Sequence, residues 1–109
     1  MIAVEPLEVP LASRGVSPGA TDGHPEQFSA TILAETGLRA VVWTCDPGDF
    51  PWKWENPEVF HIIEGAGTIT DAAGRIEELR PGRLFVMSPG DEVVWHITET
   101  IRKVLVVPN

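Results

Sequence analysis

From Phe28 onward the chain is a succession of short runs rich in Val, Ile, Thr and Trp, cut by Gly, Pro and Asp at regular intervals. The runs are Phe28–Ala34, Leu38–Cys45, Glu58–Glu64, Gly67–Thr70, Ile76–Leu79, Leu84–Ser88, Val93–Ile97 and Ile101–Val107. Many short β-rich runs at even spacing predict an all-β sandwich or barrel. Asp71-Ala-Ala-Gly74 between two runs reads as a tight hairpin loop, with the glycine supplying a positive φ. Gly65 reads as a turn at the end of its strand. No ten-residue window carries a helical stripe.

The first 27 residues differ. They hold Pro6, Pro10, Pro18 and Pro25 together with Gly15, Gly19 and Gly23. Such a segment forms neither a long helix nor a central strand. It is expected to be an extended arm (1–27) on the surface of a β-barrel domain (28–109), or on a neighbouring subunit.

Two stretches have a more specific character. Glu58-Val-Phe-His-Ile-Ile-Glu-Gly65 is a strand in which six residues separate the glutamate from a closing glycine. Arg80-Pro-Gly-Arg-Leu-Phe-Val-Met-Ser-Pro-Gly90 is a turn, a strand and a second turn. Together they resemble the two motifs of the cupin superfamily. Within it, the aromatic pair Trp52-Lys-Trp54, Pro81-Gly-Arg-Leu84 and Glu99-Thr-Ile-Arg-Lys-Val104 are similar to small single-domain cupins like those of ureidoglycine aminohydrolase and of ethanolamine utilisation. The resemblance implies a double-stranded β-helix, the jelly-roll cupin barrel. It also maps the usual metal ligands onto Trp52, Trp54, Glu58 and Val93, so that only Glu58 keeps a ligating side chain.

Alternate residues of a strand share a face. Given the resemblance, Glu58, Phe60 and Ile62 face the interior, as do Val93, Trp95 and Ile97. The expected ligand-binding set is therefore Trp52, Trp54, Glu58, Phe60, Val93 and Trp95. His61 is kept as a candidate although its parity points outward. Trp43 reads chiefly as core, and Cys45 as a buried strand residue. Transition metals need several N, O or S ligands, which Trp and Val do not supply. No metal or cofactor is expected; the alternative metal set is Glu58, His61 and His96, which needs a bulge to reverse a strand face. A carboxylate among tryptophans would bind an ammonium, guanidinium or amide donor, and would suit acid or base chemistry. The structural alternative pairs Glu58 with Lys53, Arg102 or Lys103. Arg102 and Lys103 themselves read as a solvated edge.

Charge narrows the partners. Eight Lys and Arg against sixteen Asp and Glu leave a net charge of −8, which opposes binding to a phosphate backbone. No basic amphipathic stretch suggests a membrane surface. Cys45 is the only cysteine, so no intrachain disulfide forms. The N-terminus does not read as a signal peptide, making the cytoplasm the expected location. A core this small would gain from a second subunit, so a homodimer is expected. The functional expectation is a small-molecule-binding domain with an aromatic pocket. The alternatives are a hydrolase or isomerase acting on a small ureido or amino metabolite through a catalytic Glu58, and an accessory subunit.

Overall fold

The computed structural model describes residues 1–109 and consists of strands and their connections. The strands are β1 (Ala12–Val16), β2 (Asp22–Gly23), β3 (Glu26–Glu35), β4 (Leu38–Cys45), β5 (Gly48–Lys53), β6 (Glu58–Asp71), β7 (Ile76–Leu79), β8 (Leu84–Met87) and β9 (Glu92–Val107). All pairings are antiparallel. One path runs β1-β3-β4-β9-β5-β2, and β6 joins it through β9 while carrying β7 and β8. The architecture is an all-β jelly roll, as expected.

Two long strands organise the barrel. β9 pairs with β5 through Glu92–Ile97 and with β4 through Ile101–Val107. Along its other edge it pairs with β6 in both halves. The sequence runs Glu58–Glu64 and Gly67–Thr70 are thus one strand, and so are Val93–Ile97 and Ile101–Val107. Gly65 is not a terminal turn but lies where the β6–β9 register shifts. Its φ is +105°, and a Cβ there would collide with the carbonyl oxygen of Thr100. Only glycine accommodates both the dihedral and the approach, and the irregularity bends the pair so that the sheet closes.

The proline-rich beginning enters the sheet as edge strands: β1 pairs with β3, and β2 with β5. Arg102 donates a hydrogen bond to the carbonyl of Pro6 at 2.7 Å, tying the preceding residues to the outer face. β5 had no counterpart among the sequence runs, because Pro51 sits inside it. The strand tolerates that proline because its outer neighbour, β2, is only two residues long and pairs with Asp49 and Gly48.

The core is aromatic. Trp95 is 1% exposed and has Trp43, Phe50, Trp54 and Phe60 around it, with ring centroids 5.6 to 6.3 Å away. These are ordinary separations for offset and tilted aromatic pairs. Aliphatic residues Val41, Ile62, Ile69, Leu79, Val93, Ile97, Ile101 and Leu105 complete the cluster.

Candidate functional site

An open cavity of about 290 Å³ lies beside this cluster, over the inward faces of β3, β4 and the second half of β9. Trp43, Phe50, Trp52 and Trp95 supply its aromatic surface, Lys103 its buried charge and Glu58 a half-buried one. Its volume is at the lower end of the range of small-molecule sites, about 300–1,000 Å³.

The site is built around Lys103. In β9 it stands opposite Trp43 of β4 and Ile62 of β6. Its inward parity is that of Ile101 and Leu105, which are 0% and 7% exposed. Lys103 itself is 5% exposed. Its Nζ donates a hydrogen bond to Glu58 Oε2 at 3.1 Å. Three rings enclose the ammonium: Phe60, Trp43 and Trp95, with centroids at 4.3, 4.4 and 5.0 Å. Each ring face attracts a cation, and the low-dielectric surroundings strengthen that attraction. Burial nevertheless pushes the Lys103 pKa down, opposed by the neighbouring Glu58 carboxylate. Lys103 is therefore not on a solvated edge, and of the three partners considered for Glu58 it is the one that pairs.

The remaining candidates divide. Trp52 is 39% exposed and lies at the cavity rim, while Trp95 closes its inner wall. Trp43 is not only core: its ring lines the cavity, and its indole N–H donates to Gln27 Oε1 at 2.8 Å. Gln27 in turn donates to Ser17 Oγ at 2.9 Å, fixing the orientation. Phe60 lies behind Lys103 and is fully buried. Trp54 is buried and stacks on Phe60, with centroids 6.2 Å apart. Its indole N–H is buried without an acceptor. Val93 belongs to the core cluster, away from the cavity lining. Trp54, Phe60 and Val93 thus support the site from behind instead of lining it.

His61 is exposed on the outer face, with Val59 on the same side and Leu84 opposite it on β8, so it takes no part in the cavity. His96 is exposed too, and its Nδ1 hydrogen-bonds to Asp49 across the β5–β9 pair. No bulge reverses either residue. Glu58, His61 and His96 therefore do not converge, and no group of three His, Cys, Asp or Glu side chains is arranged to hold a metal ion. Cys45 is fully buried, and desolvation pushes its thiol pKa up to about 11.

Phe50, Arg14 and Arg39 had no signal in the sequence, and Arg39 lines the cavity from β4. Phe50 is 1% exposed and lies in the strand hidden by Pro51. Arg14 reaches the cavity from β1, at a register shift between Ser13 and Gly15. The inward parity of Ile101, Lys103 and Leu105 was a signal for Lys103, blurred by valines on both faces of that run.

No curated protein sequence matches the chain. Solved structures that share the fold include these three. The EutQ protein of Clostridium difficile is 16% identical, with a TM-score of 0.68 over 81% of this chain and 69% of its own. The polyketide cyclase RemF of Streptomyces resistomycificus is 19% identical, with a TM-score of 0.74 over 99% of this chain and 79% of its own. A predicted oxalate decarboxylase of Thermotoga maritima is 16% identical, with a TM-score of 0.74 over 98% of each chain. At such identities the likeness concerns the fold alone. The sequence itself adds the family: residues 34–105 match the EutQ-like cupin domain, and the chain belongs to that family.

Proposed function

We propose that the domain binds a small molecule in the tryptophan-lined cavity. The observation that carries this reading is the ion pair at its inner wall. Lys103 and Glu58 have side chains only 6% and 12% exposed. Removing two charges from water costs several kcal/mol per ion. Apolar residues of similar size would fill the same space at no such cost. A charged pair kept beside an open, aromatic-walled cavity suits recognition better than packing.

The Lys103 ammonium also reframes the carboxylate. The sequence led to a lone Glu58 awaiting a cationic group, and here the chain supplies that cation itself. An enzymatic reading, with a hydrolase or isomerase passing a proton through Glu58, is favoured by one feature only. Glu58 and Lys103 both line the cavity, within hydrogen-bond distance of each other.

The test is a thermal-shift and tryptophan-fluorescence screen of carboxylates, amines, ureides and sugars on the purified domain. A binder raises the melting temperature by mass action. Trp52→Ala is expected to weaken any such binder by about tenfold, the loss of one stacking face. His61→Ala is expected to leave it unchanged. Equal binding by the Trp52→Ala and parent proteins would reject the cavity as the site.

A further inference from the structure

We propose that the cavity selects a small organic anion: a flat molecule with a carboxylate, its charged end held by Arg14 and Arg39 and its body against Trp43 and Trp52. This rests on the cavity being the binding site and names the chemistry of its occupant.

The chain carries twice as many acidic as basic residues, sixteen against eight. The cavity reverses that balance: Arg14, Arg39 and Lys103 line it, against Glu58 alone. Glu58 is spent on Lys103. The two guanidiniums are therefore uncompensated within the cavity.

The other arginines show that this is selective. Arg75 and Arg83 pair with Glu77, and Arg80 with Glu78. Arg102 donates to the Pro6 carbonyl. Arg14 has no carboxylate partner; its Nε donates to Ser29 Oγ at 2.9 Å and a terminal nitrogen to the Ser29 carbonyl at 3.3 Å. Arg39 makes no side-chain hydrogen bond or ion pair within the chain. Three arginines have no carboxylate partner, Arg14, Arg39 and Arg102, and two of them, Arg14 and Arg39, line this one opening.

The backbone contributes to this placement. Arg14 is the extra residue between Ser13, opposite Phe28, and Gly15, opposite Gln27, and the following Gly15 has a φ of +86°. An inserted residue of this kind redirects its side chain out of the strand's alternation. Arg14 is thereby brought to Ser29, whose neighbours on the same face of β3, Gln27 and Thr31, also line the cavity. Arg39 arrives from β4, on the face that carries Val41 and Trp43. A guanidinium binds a carboxylate through two parallel N–H···O bonds, a geometry that an ammonium does not match. The apolar wall takes a planar body by stacking.

The experiment titrates the whole protein with benzoate, benzamide and benzylamine, which share a ring and differ in charge, using tryptophan fluorescence and calorimetry. Benzoate is expected to bind about tenfold or more tightly than benzamide, with benzylamine weakest, as charge-assisted hydrogen bonds require. The Arg14→Ala/Arg39→Ala double variant, altered only at exposed positions, is expected to lose that advantage while binding benzamide within about twofold of the parent. Arg39→Lys is expected to recover only part of it. Benzamide or benzylamine binding as tightly as benzoate would overturn the anion selectivity and leave the cavity as the site. An unchanged benzoate affinity in the double variant would overturn the assignment to these arginines. If none of the three binds the parent protein at millimolar concentration, the reading of the cavity as a binding site falls with it.

Discussion

Replacing Glu58 by glutamine removes one charge from the buried pair and keeps the shape. The Lys103 ammonium, 6% exposed and paired with that carboxylate at 3.1 Å, is then uncompensated. Breaking a buried pair from one side costs about 3–5 kcal/mol. Three ring faces at 4.3 to 5.0 Å remain and offset part of the loss. The expected destabilisation is therefore about 3 kcal/mol, near the lower limit of that range. For a chain of this size that is a fall in melting temperature of roughly 10–20 °C. The Glu58→Leu/Lys103→Met double variant removes both charges and is expected to lie within about 1 kcal/mol of the parent, or above it. Urea denaturation of the parent, Glu58→Leu, Lys103→Met and the double variant closes the cycle. The pH dependence adds an independent check. Burial lowers the Lys103 pKa in the folded protein below its ordinary value of 10.5. Between the lowered value and 10.5 the unfolded chain holds more protons, so this group makes stability rise with pH across that window. The penalty is fully present below the lowered value. In Glu58→Gln the opposing carboxylate is gone, so the window widens downward and the deficit shrinks as the solution is made more alkaline. A loss under about 0.5 kcal/mol in Glu58→Gln, or a double variant as unstable as the sum of the singles, would show that the two charges do not depend on each other.

Gly65→Ala is expected to destabilise the domain by at least about 2 kcal/mol, since it places a methyl group against the Thr100 carbonyl at a positive φ; thermal unfolding measures it. Gly74→Ala shares a positive φ of +85° but meets nothing within 4 Å, so it is expected to cost less, and equal losses would count against the role of the Thr100 contact. Cys45 is expected to resist alkylation at pH 8 in the folded protein and to react on denaturation, because it is fully buried with a thiol pKa near 11; fast labelling of native protein, followed by mass spectrometry, would contradict this.

Much of the fold was legible because a β-strand exposes its environment with a period of two. That period set Phe60 and Ile62 against Val59 and His61, and Val93, Trp95 and Ile97 against Val94 and His96. The Asp71–Gly74 loop was legible for a local reason as well: the Asp71 carboxylate accepts from the backbone N–H groups of Ala73 and Arg75, and Gly74 takes the positive φ. β5 was not, because a proline inside a strand reads as a break, and the pairing that makes it tolerable lies elsewhere in the chain.

The site followed the same division. Sequence alone determined that the chain is acidic, and its resemblance to cupins maps the usual metal-ligand positions onto Trp52, Trp54, Glu58 and Val93. Those are identities, and no folding is needed to read them. Only the tertiary structure decided that Lys103, 45 residues from Glu58 along the chain, provides its counter-charge. It also decided that Trp54 goes to the core while Trp43 meets the cavity, and that Arg14 and Arg39 converge at one opening. The physical reason is that strand alternation assigns a side chain to a face, whereas partners across a barrel are chosen by the register of β4, β6 and β9 and by a bulge in β1, which depend on contacts far apart in sequence.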